Sequence, residues 1–422
     1  MFLFTFIIFS NLFILQFKFY HCEDVCFNEN EKCGEIENRY LFYDVNPPEG
    51  FNLRRDVYMR MAILAHKLQN SRNDNLNKFK LVLPPWSHLV HWQYNDEPEH
   101  IPWSYYFDIP SLKKFASVID LYDFFNVVKN KYSKIKIDEV YILQHFEDMF
   151  ETGNFEDRMS IENCHEEPNP MFYYCDNMTS TSIQCLSYHG PATKLTELLA
   201  KSQARTILID HAEVALHDMF GNKEYWQARR SMRFNKELRN IANEFREKYL
   251  NSTDVADNIH LPDNWQNEKL RRNALGGPYL SVHLRRKDFL RSRPKETPSL
   301  KGASKQIMKL LNQLGLQNVF ISTDGSNEEY NQLIELIDKK YSVFRYKPSK
   351  YVKEKFKDGG VAIIDQIICS HARYFVGTAE STFSFRIQEE REILGFPVKT
   401  TFNALCNDAN VCPKPSVWKI VF

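Results

Sequence analysis

Apolar runs and amphipathic stretches alternate along the last third of the chain, and this alternation constrains the fold more than any other feature. The predicted elements are a strand within YLSVHLRRKDF (279–289), helix 300–314, strand 319–323, helix 328–340, strand 342–346, helix 361–372, strand 374–377 and helix 383–394. Strands that alternate with helices form a parallel sheet covered on both faces. Such sheets bind ligands outside the carboxyl ends of their strands, so candidate site residues are expected there.

The first of these strands carries two polar residues that share one face. In YLSVHLRRKDF, His283 and Arg285 alternate with apolar residues, so both point to the side opposite Leu284. A guanidinium at the carboxyl end of a central strand suits a bidentate hold on a phosphate or carboxylate. An edge strand that carries solvated charges is the alternative.

The amino-terminal half offers a second arrangement that can bind an anion. Residues 39–45, RYLFYDV, are predicted to form a strand, and the loop NPPEGFN (46–52) leads into a helix capped by Asn52, with the arginines of that helix on its polar side. A strand, a tight loop and a helix amino terminus collect anions in α/β folds. Glu49 is unusual in such a loop, and it is either a solvated turn residue or a catalytic base.

Six aromatic residues follow the next predicted strand, FKLVL at residues 79–83. They are Trp86, Trp92, Trp103, Tyr105, Tyr106 and Phe107. Packing in a hydrophobic core is the ordinary explanation for such a group. A platform that recognises a sugar or a protein loop is the alternative.

The length and composition of the chain indicate two domains. With 422 residues, 43% of them hydrophobic, the chain has enough apolar material for two cores. Further strands are predicted at 118–119, 140–143 and 206–209, with 164–191 as a disulfide-bound insertion and a long helix over 234–249. The polar run that ends at Trp265 marks the boundary. We therefore assign an amino-terminal domain to residues 37–258 and a carboxy-terminal domain to residues 259–422.

The charge balance bears on the kind of ligand. Lys and Arg total 54, as do Asp and Glu, so the formal net charge is zero. Nucleic-acid binding needs a basic excess that this composition lacks. The basic residues of YLSVHLRRKDF are therefore expected to serve a small anion.

The amino terminus and two sequons predict entry into the secretory pathway. Residues 2–17 are nearly all apolar but fall short of the roughly 20 residues that span a bilayer, so we assign residues 1–21 to a signal peptide, with an uncleaved anchor as the alternative. No other membrane span is expected. Asn177 and Asn251 begin Asn-x-Thr sequons and are candidate N-glycosylation sites.

The nine cysteines favour an oxidising compartment. We predict disulfides between Cys164 and Cys185 and between Cys406 and Cys412, with Cys369 buried and free. Zinc binding is the rival explanation, but no Cys-x-x-Cys pair occurs. The pairing of four further cysteines stays open: Cys22, Cys26, Cys33 and Cys175.

Two further features belong to the carboxy-terminal half. Asp365 lies among apolar neighbours in GGVAIIDQ and needs either an ion-pair partner or a ligand hydroxyl or base N–H. Ser381 and Thr382 precede the last helix, where backbone N–H groups can take a diphosphate. Neither phosphate-binding glycine motif occurs, and no Asp-x-Asp occurs to support a bridging metal. Arg285 and helix amino termini are therefore expected to carry the diphosphate charge.

Several blocks of sequence resemble the GDP-fucose protein O-fucosyltransferases, in particular the branch that modifies thrombospondin type 1 repeats. The resemblance runs in order from about Arg39 to Phe422 and rests on PPEGFNLRRDVY, LVLPPW, GGPYLSVHLRRKDF, DGGVAIIDQ and STFSFRIQEEREILG. It implies a GT-B type α/β fold, with two Rossmann-like domains facing a central cleft. It also implies an inverting transfer of fucose from GDP-fucose to a Ser or Thr hydroxyl, with no metal or other cofactor, by a monomer in the endoplasmic reticulum lumen.

The same resemblance implies roles for individual residues. Glu49 corresponds to the catalytic base, and Glu390, in the EERE stretch, to a family position important for activity. The implied GDP-fucose-binding residues are Pro48, Glu49, Gly50, Phe51, Asn52, His283, Leu284, Arg285, Asp365, Thr382 and Phe383.

Two alternatives stay open at this point. Within the enzyme class, the acceptor could be an EGF-like repeat instead of a folded, disulfide-bonded thrombospondin repeat. In a different class, a lumenal lectin or folding receptor without catalysis would keep the aromatic residues and the disulfides. Such a receptor would have no use for Glu49, His283 and Arg285 in one cleft.

Overall fold

The protein contains two sheets that are almost entirely parallel. The computed structural model describes residues 38–422 except 48, 88, 90, 91, 93–99, 128–134, 171 and 173–177. The first sheet has the order β3-β2-β1-β7-β4-β6-β5 and contains β1 (Arg39–Tyr43), β2 (Phe79–Leu83), β3 (Val118–Asp120), β4 (Ile135–Gln144), β5 (Arg158–Glu162), β6 (Met178–His189) and β7 (Thr206–Asp210). The second has the order β10-β9-β8-β11 and contains β8 (Gly277–Leu284), β9 (Asn318–Thr323), β10 (Ser342–Phe344) and β11 (Ala372–Val376).

Helices connect these strands, as the alternating pattern predicts. The α-helices are α1 (Phe51–Gln69), α2 (Asp74–Asn77), α3 (Ile109–Lys113), α4 (Leu121–Val127), α5 (Met149–Thr152), α6 (Thr196–Leu199), α7 (Lys223–Ser231), α8 (Lys236–Leu250), α9 (Phe289–Ser292), α10 (Leu300–Leu314), α11 (Asn327–Glu335), α12 (Lys350–Ser370) and α13 (Thr382–Leu394). Helix α12 begins well before the predicted position 361, since Ser349 caps it through a bond to the Val352 amide. Its backbone is interrupted at Lys357, where φ is 52°.

The second sheet places YLSVHLRRKDF at its centre. Strand β8 pairs in parallel with β9 on one side and with β11 on the other, so the edge-strand alternative is wrong. Both faces of β8 are covered, and Ser281 and His283 are as buried as their apolar neighbours. The alternation of polar and apolar residues therefore reflects two different buried environments.

The first sheet differs from the prediction in the segment around the disulfide. Residues 164–191 were expected to form an insertion, but they contain β6, which pairs in parallel with β4 over most of its length. Strand β5 pairs antiparallel with β6 at the edge of the sheet. The polar sequence of β6, TSTSIQ, explains the error, because the strand carries several exposed residues and lacks an apolar run.

Helix α1 begins two residues earlier than its sequence suggests. Gly50 is the N-cap, and Asn52 lies inside the first turn, where its side chain bonds to other side chains instead of to the helix backbone. Arg54 and Arg55 are also buried, although the pattern assigns them to the polar side of the helix. The reason is that α1 packs against β2, α7 and α13 and is covered on nearly all sides.

The aromatic residues that follow β2 form part of the hydrophobic core. Trp86, Trp103 and Tyr106 are at most 2% exposed, and the ring of Phe51 packs against that of Trp86 with centroids 4.8 Å apart. The core-packing prediction is therefore confirmed for these rings. A surface platform made of them is wrong, because their faces are occupied by one another.

The two sheets share one continuous hydrophobic core. A single cluster includes Leu41 of β1 and Tyr279 of β8, and the Tyr106 hydroxyl donates to the Phe356 carbonyl of α12 at 3.1 Å. Helix α8 packs against α12 and β8, so it contributes to the layer that covers the second sheet. The division of the chain near residue 258 stays a prediction.

The cysteines agree with the predicted pairing where the structure describes them. Cys164 is bonded to Cys185 and Cys406 to Cys412, while Cys369 is buried and free. The predictions for the signal peptide, Pro48, Asn177, Cys22, Cys26, Cys33 and Cys175 fall outside the described residues. Within the described part of the chain, none of the helices is long and apolar enough to cross a membrane.

Candidate active site

The candidate site is built from segments that follow the carboxyl ends of β1, β8, β9 and β11. After β1 the chain forms a short loop from Asn46 to Gly50, called here the β1–α1 loop. The Glu49 amide donates to the Asn46 carbonyl at 2.9 Å, and the Asn46 amide donates to the Glu213 carboxylate at 3.2 Å. Glu49 itself is partly buried. The loop is therefore a fixed turn that carries a carboxylate at the edge of the first sheet.

Asn52, two residues after this loop, links α1 to helix α12. Its Oδ1 accepts hydrogen bonds from Arg55 Nη1 at 3.2 Å and from Gln366 Nε2 at 2.9 Å, and Arg55 Nη1 also donates to Gln366 Oε1 at 2.8 Å. Gln366 directly follows Asp365 on α12. The first turn of α1, three residues after Glu49, is therefore bonded to the helix that carries Asp365.

Two of the predicted donor-site residues present no side chain to a ligand. Phe51 is 6% exposed and packs in the aromatic core, and Leu284 is 1% exposed and packs under the second sheet. The Leu284 carbonyl is bonded to the Thr323 hydroxyl at 2.6 Å. Any contribution of these two residues to ligand binding must come from the backbone or from packing.

His283 is held as a neutral imidazole at the end of β8. Its Nδ1 lies 2.8 Å from Ser384 Oγ, and its ring stacks on that of Phe383 with centroids 4.4 Å apart. Burial, together with the nearby Arg285, lowers the pKa of His283 to about 3. His283 therefore brings a polar ring to the site without a charge, and Arg285 supplies the cation.

Arg285 is held by two carboxylates just beyond β8. One Nη lies 2.7 Å from Asp288 Oδ1 and the other lies 3.0 Å from Asp324 Oδ2. The Arg285 amide donates to the Thr378 hydroxyl at 2.9 Å, so its backbone is tied to the loop after β11. Asp324 and Thr378 were missed in the sequence, because their roles depend on strand neighbours that are distant along the chain.

Asp365 keeps one carboxylate oxygen without a partner. Its Oδ2 accepts from the Ser322 hydroxyl at 2.7 Å, while the buried Oδ1 has no hydrogen bond within the described residues. Burial raises the pKa of Asp365 to about 7. The ion-pair alternative finds no support, since none of the Lys and Arg side chains in the described ranges forms a salt bridge with it. An unpartnered buried carboxylate oxygen points to a ligand donor.

The amino end of α13 completes this edge of the site. Ser381 is the N-cap but makes no side-chain cap bond, and Thr382 and Phe383 are partly exposed. Phe383 lies over His283, as described above. These positions leave the first N–H groups of a helix of 13 residues beside the ends of β8 and β11.

Glu390 lies away from these residues, in a buried ionic cluster between α7 and α13. Its carboxylate accepts from Arg229 Nη2 at 2.8 Å, and Arg229 Nε donates to Glu389 at 2.7 Å. Arg386 of α13 reaches Asp56 of α1 at 3.3 Å, which extends the cluster to a third helix. Burial favours the neutral acid, but Arg229 still holds the pKa of Glu390 below its usual value. Glu390 therefore connects the two halves of the molecule.

A groove opens beside the β1–α1 loop at the same edge of the first sheet. Its volume is about 850 Å³, and Asn46 and Pro47 form one wall. The opposite wall includes the Cys164–Cys185 disulfide and residues 165–169. No group of three His, Cys, Asp or Glu side chains suited to a metal ion is present among the residues that the structure describes.

Comparison with known proteins agrees with this arrangement. The family model described as GDP-fucose protein O-fucosyltransferase matches residues 40–394. The chain belongs to this family. The O-fucosyltransferase family is the one that the sequence blocks resemble, so the expected family and enzyme class are confirmed.

Curated relatives in the O-fucosyltransferase family match nearly the whole chain. GDP-fucose protein O-fucosyltransferase 2 of Homo sapiens is 44% identical, over 91% of this chain and 90% of the relative. The proteins of the same name from Caenorhabditis elegans and Drosophila melanogaster are 41% and 39% identical, over 94% and 91% of this chain and 93% and 82% of theirs.

Solved structures show that the fold is shared as well. POFUT1 in complex with GDP-fucose superposes with a TM-score of 0.55 and 17% identity, covering 87% of this chain and 98% of that one. The apo form of POFUT1 gives a TM-score of 0.52 and 16% identity, over 86% and 97% of the two chains. The expected GT-B type fold is confirmed.

The position of Glu390 generates a prediction about stability. Replacing Glu390 by Gln should lower the free energy of unfolding by about 1.5 to 3 kcal/mol, because Arg229 loses a charge-assisted bond in a buried setting. Urea unfolding followed by circular dichroism measures this change, with exposed Glu335→Gln as a control. Unchanged stability combined with lost turnover would mean that Glu390 contacts substrate instead.

Proposed function

We propose that the protein transfers fucose, with inversion at carbon one, from GDP-fucose to a Ser or Thr hydroxyl of a folded thrombospondin type 1 repeat. The observation that carries this proposal is the bond between Asn52 and Gln366, because it ties the start of α1, just after the β1–α1 loop, to the helix that carries the nucleotide-site candidate Asp365. A lectin or folding receptor would need only one binding surface. It would not need a carboxylate held against a second, phosphate-binding half.

Glu49 is the residue that we assign as the base. An inverting transfer requires a base on the sugar face opposite the leaving diphosphate, to take the proton as the acceptor hydroxyl attacks. Glu49 lies on the first sheet's side of the site, whereas the candidate phosphate ligand Arg285 lies on the second sheet's side. Gly50, the N-cap of α1, directly follows Glu49, and because it lacks a side chain the sugar can approach the loop closely.

The second sheet supplies the groups that would hold the nucleotide. Arg285 and the amino end of α13 offer positive charge to the diphosphate without a metal ion. The unpartnered Oδ1 of Asp365 is suited to accept a hydrogen bond from guanine, whose Watson–Crick edge presents N–H donors. The Phe383 ring, stacked on His283, forms an apolar surface between these two groups.

The groove beside the β1–α1 loop is the place for the acceptor. A volume of about 850 Å³ exceeds what a single side chain needs and fits the edge of a small folded domain. Groove residues Asn46 and Pro47 belong to the same loop as Glu49, so an acceptor bound there would have its hydroxyl near the base. We place this reaction in the endoplasmic reticulum lumen, where the two disulfides would persist.

Glu49→Gln tests the base directly. Turnover should fall by at least about two decades, since a positioned base contributes roughly 10²- to 10⁴-fold, while GDP affinity measured by calorimetry stays close to that of the unchanged protein. Glu335→Gln, an exposed carboxylate on α11, should change neither quantity. Turnover that survives in Glu49→Gln would sink the base assignment, and joint loss of GDP affinity and melting temperature would make Glu49 a structural residue.

Arg285→Lys tests the phosphate ligand. A lysine cannot reproduce the two-pronged donor geometry, and each lost charge-assisted bond costs roughly 1.5 to 3 kcal/mol, or about one to two decades in GDP affinity. Calorimetric titration of GDP measures the change. Exposed Arg291→Lys on α9 is the matched control. Equal GDP affinity in Arg285→Lys and the unchanged protein would show that Arg285 forms ion pairs with Asp288 and Asp324 but does not bind the diphosphate.

The acceptor is tested with purified repeats. We expect transfer from labelled GDP-fucose to a disulfide-bonded thrombospondin repeat and none to the same repeat after reduction, because the groove fits a folded edge. A folded EGF-like repeat is assayed in parallel. Comparable rates on the reduced repeat would refute recognition of a folded surface, and transfer to the EGF-like repeat alone would reassign the acceptor.

A further inference from the structure

We propose that Arg54 is the residue that positions Glu49 for proton transfer. This inference rests on the proposed role of Glu49 as the base. Arg54 follows Glu49 by just over one helical turn, and its guanidinium folds back beneath the β1–α1 loop. It contacts the backbone of the loop, so its effect on the reaction would be exerted through Glu49.

Three backbone carbonyls accept hydrogen bonds from this guanidinium. Arg54 Nε donates to the Glu49 carbonyl at 3.0 Å, and Nη2 donates to the Pro47 carbonyl at 3.3 Å. Nη1 donates to the Ser87 carbonyl at 3.2 Å, in the segment that follows β2. The side chain therefore binds the loop on both sides of position 48. It also links the loop to Ser87, which follows β2.

Because Arg54 is buried, these hydrogen bonds are important for holding the loop in place. Arg54 is only 7% exposed, so water cannot readily replace its bonds. The loop lies between β1 and α1. The Glu213 carboxylate also holds it, by accepting a hydrogen bond from the Asn46 amide. Arg54 holds the part nearest to the base, whereas Glu213 holds the beginning of the loop.

This arrangement depends on the planar guanidinium group of arginine, which carries three donor nitrogens. Three carbonyls from two separate segments are reached by three different nitrogen atoms, and a lysine ammonium cannot reach all of them from one position. A displacement of about 1 Å at a catalytic group can cost on the order of 10²-fold in rate. Loss of the guanidinium group should therefore lower turnover even if the fold and the nucleotide site are intact.

Arg54→Lys is the first test, with Arg60→Lys on the same helix as the control. Arg60 binds Asp56 and the carbonyls of Glu213 and Ala215, and none of these hydrogen-bond partners belongs to the β1–α1 loop. We expect kcat of Arg54→Lys to fall by roughly 10- to 100-fold, with GDP affinity within about twofold, while the melting temperature falls but the protein stays folded. Arg60→Lys should keep its kcat.

A double-mutant cycle with Glu49→Gln separates positioning from general damage. If Arg54 acts through Glu49, the double variant Arg54→Lys/Glu49→Gln should turn over no more slowly than Glu49→Gln alone, because there is no base left to misplace. If the two losses of turnover multiply in the double variant, the proposal is overturned and Arg54 has a role independent of Glu49. Retained turnover in Glu49→Gln would instead refute the base assignment, which is a separate result.

Arg54→Gln covers the case in which the lysine variant is unstable. Glutamine keeps an amide N–H donor on a shorter side chain and removes the buried positive charge. A kcat loss in either variant, when that variant stays folded at the assay temperature and keeps its GDP affinity, supports positioning. Collapse of melting temperature and GDP affinity in both variants would overturn the proposal, because Arg54 would then stabilise the fold as a whole.

Discussion

The bond between Asn52 and Gln366 is the interaction on which the rest of the site depends. It joins the first turn of α1 to the middle of α12, and Arg55 closes it on the other side. Neutral amide groups make this part-buried contact, so its geometry is strict while its desolvation cost is moderate. This bond links the start of α1, just after the loop with Glu49, directly to the helix with Asp365.

A second set of contacts keeps the two halves aligned at a greater distance from the site. Arg229, Glu389 and Glu390 form buried ion pairs between α7 and α13, and Arg386 extends them to Asp56 of α1. Buried ion pairs contribute little net stability but strongly penalise arrangements in which a partner is lost. They therefore specify one relative placement of the helices that carry the candidate donor residues. A glycosyltransferase of this type benefits because the base and the donor must meet at fixed distances.

The sequence predicted the second sheet closely and the first sheet less well. The second sheet's strands read as apolar runs between clear helices, whereas β6 is polar over half its length and was taken for an insertion. Within the site, Glu49, Arg285 and Asp365 could be found because each residue type is unusual in its local pattern. Arg54, Gln366 and Asp324 could not, because an arginine, a glutamine and an aspartate look ordinary on helices and loops until their distant partners are known.

By itself, the sequence determined the class of fold and the family, because the alternation of strands and helices and the blocks that resemble the family are local properties that need no partner. It also determined both described disulfides. Only the tertiary structure decided that Asn52 bridges two halves instead of capping a helix, that the aromatic rings are core and that Glu390 works at a helix interface. The physical reason is that hydrogen bonding and burial depend on which residues the fold brings together, and those partners lie far apart in the chain.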